Sequence, residues 1–339
     1  METVRRQKPR IAFIARGDNS GLGSCSWELF RHLKPERVLI VQNGVFPIFP
    51  ERYEGARVLG GEESMTTEVQ DWLMDGMDVV ISIETFYSND LCERARKKGV
   101  KTALVTMCEM VDLAHVQKPD LNICPSKLDM DLMGEPKVYI PWPVATDRLV
   151  WKKRETANTF VHIGSHGGMK GRKGTGLLVE ATRYMKSDAK IIIYSWQGFY
   201  TTDKRIETRF IQFKNYWQCW KEGDVLVYPQ NGNGICLPTV EAFASGLGVI
   251  TTDIYPFDFF PQPLLIKPTS IETKAVQDGL QPIPMATIDP REIARLIDTW
   301  HGKDIGEFSL AGKAWAEENS WEKLLPSYET ALYDLCSKQ

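Results

Sequence analysis

Asn231-Gly-Asn-Gly-Ile-Cys-Leu-Pro-Thr-Val-Glu241-Ala-Phe-Ala-Ser-Gly246 lies between two apolar runs, Val225-Leu-Val-Tyr-Pro229 before it and Val249-Ile-Thr-Thr-Asp253 after it. Short runs rich in Val and Ile around a glycine-rich break read as strand, turn, helix, strand. Glycine lets the backbone approach a bound group closely, and proline suits the first turn of a helix, so Pro238 marks where the helix begins. The N–H groups at such a start are free to meet a phosphate. The same reading puts Glu241 in the first helical turn, where a carboxylate can accept two hydrogen bonds from the vicinal hydroxyls of a ribose. An ordinary βαβ turn, with a glutamate that merely complements the helix dipole, fits the segment equally well.

Two further segments repeat the pattern. Phe160-Val-His-Ile-Gly-Ser165 reads as a buried strand, followed by a Gly- and Lys-rich loop ending in Arg172-Lys173-Gly174 and a helical stretch from Leu177 to Ala181. Near the N-terminus, Ile11-Ala-Phe-Ile-Ala15 precedes Arg16-Gly-Asp-Asn-Ser-Gly21-Leu-Gly23-Ser and then a helix with Trp27, Phe30 and Leu33 on one face. A nicotinamide-binding fingerprint needs a third glycine three residues after Gly23, and position 26 is serine.

Together these segments resemble the retaining glycosyltransferases of the GT-B fold, the family of glycogen and sucrose synthases and bacterial lipid mannosyltransferases. There the segment before the helix reads Glu-Gly-Phe-Gly-Leu-Pro-x-x-Glu-Ala; here it reads Asn233-Gly-Ile-Cys-Leu-Pro-Thr-Val-Glu241-Ala. Asn233 keeps the hydrogen-bonding capacity of the family's first glutamate and loses its charge. The resemblance implies two Rossmann-like domains facing a cleft. It places Asn233, Gly234, Ile235, Cys236, Leu237 and Glu241 on the donor, with Glu241 on the ribose. Arg172 and Lys173 then hold the diphosphate, while Gly21 and Gly23 lie at the cleft against the donor phosphates and the acceptor. Ser165 stands where many members have an arginine, and Trp196 with Phe199 stands where the family holds the nucleobase. The stretch from Asn319-Ser-Trp321 to Leu335 resembles the closing helix that crosses back onto the N-terminal domain.

The whole chain agrees with that layout. Its 339 residues, 43% hydrophobic and 25% charged, suit two domains. Strand candidates at 11–15, 38–41, 78–83, 102–107, 121–124, 160–164, 191–195, 209–213, 225–229 and 249–252 alternate with helical stretches, as in parallel sheets covered on both faces. The expected domains are 1–145 on the acceptor side and 146–318 on the nucleotide-sugar side, followed by the terminal helix 319–339. Positions 1–150 hold 19 basic and 22 acidic residues and the remainder 22 of each, which speaks against strong nonspecific nucleic-acid binding. The basic stretch Arg94 to Lys98 reads as the solvated end of a helix. No run reaches the roughly 20 apolar residues of a membrane span, and no signal-peptide core precedes the first strand, so a cytoplasmic location is expected. Seven cysteines without Cys-x-x-Cys spacing and five scattered histidines predict neither a disulfide framework nor a metal site.

The acceptor side is marked only by polar residues after strands: Asp18, Glu84, Glu109 and His115, with Glu109 directly after its strand and so the catalytic candidate alongside Arg172 and Lys173. The expected activity is transfer of a sugar from a nucleotide diphosphate sugar to a hydroxyl acceptor. The resemblance implies retention, no metal and no cofactor beyond the donor itself. A nucleotide-sugar epimerase of the same fold and a catalytically silent nucleotide-sugar-binding module are the alternatives. The acceptor class stays open among small molecules, glycans, lipids and, as the remotest option, a modified DNA base.

Overall fold

The computed structural model describes residues 8–42, 46–60, 64–165, 169, 171–196, 199, 201–210, 213–257 and 264–337. The chain packs into two compact units, residues 1–142 with 324–339, and residues 143–323.

The first unit is built on β1 (Ile11–Arg16), α1 (Gly21–Leu33), β2 (Arg37–Val41), β3 (Arg57–Leu59), α2 (Thr67–Met74), β4 (Val79–Ile83), α3 (Leu91–Lys97), β5 (Lys101–Val105), β6 (Leu121–Cys124), α4 (Lys127–Leu132) and β7 (Lys137–Tyr139). Its strands pair in parallel in the order β3-β2-β1-β4-β5-β6-β7. Every residue of β1 and of β4 is buried, which is why both read as continuous apolar runs without alternation. Side-chain caps start the helices: Ser20, Thr66 and Ser126 accept main-chain N–H groups at the heads of α1, α2 and α4. Helix α1 buries Cys25, Leu29 and Leu33, a stripe at four-residue spacing; Trp27 and Phe30 lie beside it and pack on the Tyr53 ring. The single face expected for Trp27, Phe30 and Leu33 is thus two neighbouring faces.

The second unit contains β8 (Thr159–Ser165), α5 (Thr175–Ala181), β9 (Lys190–Ser195), β10 (Ile206–Phe210), β11 (Val225–Tyr228), α6 (Leu237–Ala244), β12 (Gly248–Thr252), β13 (Leu264–Ile266), β14 (Ser270–Lys274), β15 (Ile283–Thr287), α7 (Pro290–Trp300) and α8 (Gly306–Glu318), with the start of α9 (Trp321–Ser337). The main sheet, β10-β9-β8-β11-β12-β13, is also parallel. Both sheets therefore run outward in two directions from a first strand, the doubly wound order. Residues 324–337 of α9 belong to the first unit, where Cys336 contacts the Asp78 carbonyl and Lys8 pairs with Glu329 at 3.2 Å.

Some strands lie away from their expected places. The strand expected at 209–213 runs from Ile206 to Phe210; among the described residues it is an edge strand paired with β9 alone, with Thr208 and Phe210 exposed, so its apolar pattern is weak, and Ile211 and Gln212 lie outside the described residues. The short strands β3, β7 and β13 and the antiparallel hairpin β14–β15 went unpredicted: a three-residue strand is too short to show a period, and β14 is exposed along its whole length while its partner β15 is buried at Ile283, Met285 and Ala286. Among the described residues no helix is long and apolar enough to cross a membrane.

Candidate functional site

In an open doubly wound sheet, ligands bind beyond the C-terminal ends of the strands at the point where the strand order reverses. In the second unit that point lies between β8 and β11, which pair directly through Phe160 with Val225 and Val161 with Leu226. The loops leaving these two strands are the two glycine-rich segments singled out by sequence.

Their turns are fitted backbone to backbone. The Asn231 N–H donates to the Arg172 carbonyl at 2.9 Å. Gly174 has φ +77°, and a Cβ there would lie 2.1 Å from the Pro229 carbonyl oxygen, so only glycine lets this turn seat against the loop after β11. Below the turn, His162 is fully buried in β8. Its Nδ1 lies 2.8 Å from the Val227 carbonyl, which can only accept, so Nδ1 carries the proton and Nε2 accepts from Thr175 Oγ1 at 2.8 Å. Burial, with the nearby charge of Lys173 acting in the same sense, pushes the imidazole down to about 4 and keeps it neutral.

The turn presents Arg172 and Lys173 together. Burial and the adjacent Arg172 charge push the Lys173 ammonium down to about 8, with the Cys236 thiol opposing. Two adjacent cations in a poorly solvated place repel each other, and an anion between them relieves both costs.

The loop after β11 is held from a third side. The Ala286 N–H of β15 donates to the Asn231 carbonyl at 2.6 Å, and a Cβ on Gly232 would lie 2.6 Å from both the Pro284 carbonyl and Met285 Sδ. Asn233 is half-buried and its Oδ1 accepts the Gly234 N–H at 2.9 Å. Gly234, Ile235 and Cys236 are buried, and Leu237 is half-buried. Cys236 is the residue before α6 and has φ +52°, a left-handed conformation that explains why the resemblance's motif has glycine at this place. Pro238 is the second residue of α6, and Glu241 the fifth. Glu241 therefore begins the second turn and not the first, because the cap falls at Cys236. A dipole-complementing role weakens with it, since that effect fades beyond the first turn. The half-buried Glu241 carboxylate acts electrostatically on Tyr228 and Cys219.

Ser165 ends β8, with its backbone paired to Ser195. Trp196 and Phe199 follow β9 and pack against the core of this unit.

In the first unit, the reversal point lies between β1 and β4. Asp18 is 1% exposed; it accepts from Arg16 Nε at 3.0 Å and from the Ser20 N–H at 2.8 Å. Gly23 sits in the first turn of α1, where a Cβ would lie 2.0 Å from the Asp18 carbonyl, and Gly21 opens that helix. Glu84 and Tyr87, in the loop after β4, both have positive φ, 68° and 54°. Burial pushes the Tyr87 hydroxyl up to about 12, with Arg16 opposing. Strained residues of this kind cluster where a fold has been adapted to a ligand. Glu109 is buried on a short turn after β5. Next to it Asp129 accepts from the Cys108 N–H at 2.8 Å and from Ser126 Oγ. Burial, with the Glu109 charge in the same sense, pushes Asp129 up to about 6. His115 is exposed and pairs with Asp112 at 2.9 Å. Sequence reading missed Arg16, Tyr87, Asp129, His162, Tyr228 and Gln230, all core or loop positions without a motif; a polar residue inside a near-continuous apolar run, as with His162, was the one available signal.

Among the described residues no group of three His, Cys, Asp or Glu side chains comes together as a metal site.

No protein-family model matches this chain, and no curated protein matches it in sequence. Solved structures do match. Anabaena HepE in complex with UDP and glucose has a TM-score of 0.68 at 11% identity, covering 96% of this chain and 100% of that one. Sucrose-phosphate synthase from Thermosynechococcus elongatus has a TM-score of 0.68 at 13% identity, covering 98% and 100%. The lipopolysaccharide outer core galactosyltransferase WaaB, in its apo form, has a TM-score of 0.63 at 14% identity, covering 96% and 99%. Two parallel α/β sheets of this order, matching these structures over nearly the whole chain, define the GT-B glycosyltransferase fold.

Proposed function

We propose that the chain is a glycosyltransferase that moves a sugar from a nucleotide diphosphate sugar to a hydroxyl acceptor, with retention of configuration and without a metal ion. The observation that supports this most is the pairing of Arg172 with a poorly solvated Lys173 on a turn seated at the reversal point of the second sheet. The similar HepE structure holds UDP and glucose, and UDP is a diphosphate of the kind such a turn suits.

As the bond from the anomeric carbon to the phosphate oxygen breaks, its electron pair stays with the departing diphosphate, whose charge rises. A guanidinium and an ammonium beside it stabilise that state more than the ground state, which lowers the barrier. The same cations supply the charge neutralisation for which other transferases use a metal. The sugar passes through an oxocarbenium-like state, and the acceptor attacks from the face the diphosphate leaves, giving its proton to a departing phosphate oxygen. No protein nucleophile takes part. Glu241 receives the ribose hydroxyls, and Asn233 faces the sugar.

The test is thermal stabilisation by a panel of UDP- and GDP-sugars, followed by product analysis with hydroxyl acceptors. A bound donor at 100 times its dissociation constant adds about 2.7 kcal/mol. Sugar transfer that survives EDTA supports the reading. Isomerisation of the donor without transfer marks an epimerase; binding without either reaction marks a silent module; rescue of lost activity by manganese overturns metal independence.

A further inference from the structure

Gln230 follows β11 at the reversal point and is 1% exposed. Neither Oε1 nor Nε2 of its side chain has a hydrogen-bond partner among the described residues. Its main chain is pinned, with its N–H donating to the Tyr228 carbonyl at 2.8 Å and its carbonyl accepting from Thr252 Oγ1 at 2.6 Å. The Tyr228 hydroxyl, two residues back along the strand, is likewise buried without a partner among the described residues. A buried amide left unpaired at both ends is costly, and native proteins keep such a group for a reason.

The neighbours of Gln230 supply one. Pro229 takes the close approach of Gly174, and Asn231 bonds the Arg172 carbonyl, so Gln230 stands between the two residues that hold the cationic turn. We propose that Gln230 reads the sugar of the donor, its amide hydrogen-bonding the hydroxyls of the hexosyl group whose diphosphate sits on Arg172 and Lys173. An amide has donors at one end and an acceptor at the other. A phosphate offers only acceptors, which would satisfy Nε2 and leave Oε1 unpaired beside negative charge. Sugar hydroxyls both give and accept, and satisfy both ends. The ribose hydroxyls are already assigned to Glu241, which leaves those of the transferred sugar. Side-chain rotamer changes are common where a ligand seats, and one such change would bring the amide to the sugar.

This inference rests on the donor reading above, and its test separates the two. Wild type, Lys173→Ala, Gln230→Met and Gln230→Asn are titrated by calorimetry with UDP, UDP-glucose, GDP and GDP-mannose, and the melting temperature of each ligand-free protein is recorded. Gln230→Met removes the buried amide at nearly constant volume. The expected result is a ligand-free melting temperature raised by roughly 2 °C or more, an affinity for the nucleotide sugar about 10-fold or more lower, and an unchanged affinity for the bare nucleoside diphosphate. Gln230→Asn, which withdraws the amide by one methylene, is expected to lose the same discrimination. If both variants bind the nucleotide sugar as wild type does while Lys173→Ala binds UDP and UDP-glucose more weakly than wild type, Gln230 does not touch the sugar and the donor reading stands. A lowered melting temperature with unchanged affinities shows an amide held inside the protein, for instance by a water shared with Tyr228, and overturns the proposal. Equal losses for nucleotide and nucleotide sugar move the contact off the sugar and also overturn it. If wild type binds none of the four probes, the donor reading fails and this inference with it.

Discussion

The carbonyl of Arg172 accepts the Asn231 N–H at 2.9 Å, tying the cationic turn after β8 to the glycine-rich loop after β11. Fifty-eight positions separate these residues in the chain. Through this bond the two segments act as one surface, so a change in either is expected to be felt by a ligand on both.

Lys173→Ala is expected to cut sugar transfer by roughly 100-fold or more while the melting temperature stays near that of wild type, since the lost charge is felt most in the transition state. The same residue sets a pH limit. Its free ammonium titrates near 8 and a bound diphosphate needs it charged, so donor affinity is expected to hold below pH 8 and to fall above it. Lys173→Arg should flatten that fall. An affinity of wild type that is level from pH 7 to 10 would place the diphosphate elsewhere.

His162 makes stability depend on pH with a definite sign. Its pKa falls from 6.5 in the unfolded chain to about 4 when folded, so below pH 6.5 the unfolded state binds the extra proton. Stability is full above 6.5 and declines as pH drops toward 4, by about 3 kcal/mol in the limit. Asp129 in the first unit acts in the opposite direction, because a carboxyl raised to about 6 takes its proton earlier folded than unfolded. The comparison therefore has to be made by variant. His162→Gln should show a shallower loss of melting temperature between pH 7 and pH 4 than wild type, and an equal slope would mean that the imidazole does not titrate as described.

Gly174→Ala should be disruptive out of proportion to one methyl group. Alanine at φ +77° costs about 1 kcal/mol or more by itself, and its Cβ meets the Pro229 carbonyl at 2.1 Å, so one of the two backbones must move. A fall of at least about 4 °C in melting temperature is expected. Donor affinity should fall with it, because Arg172 and Lys173 ride on that turn. A variant as stable as wild type would mean the loop after β11 shifts at little cost.

Asn233 and Glu241 are expected to separate by kinetic signature. A neutral amide complements developing positive charge less well than a carboxylate, so Asn233→Asp should change the order of preference among donor sugars. Glu241→Ala should weaken every donor of one nucleotide alike. The matching of this segment to the family motif is sunk if Asn233→Asp and Asn233→Ala both leave the donor ranking untouched.

Most of the strands were legible in the sequence because burial on both faces leaves a local mark, the continuous apolar run of β1, β4, β11 or β12. The two loops and their cations were legible for a similar reason: glycine, proline and charge signal a turn wherever they occur. Neighbourhood leaves no such mark. That β11 pairs with β8, and so brings Gln230 beside Arg172 and Lys173, follows from the order of the whole sheet. Reading position by position could not see that Asp18 is absorbed by Arg16, that Asp129 lies against Glu109, or that the cap at Cys236 moves Glu241 into the second turn. Periodicity is a property of a dozen adjacent residues, and the sequence alone determined what depends on it: the elements, the doubly wound class and the charged turn. Contacts between residues far apart depend on which strand lies beside which, and those the tertiary structure alone decided.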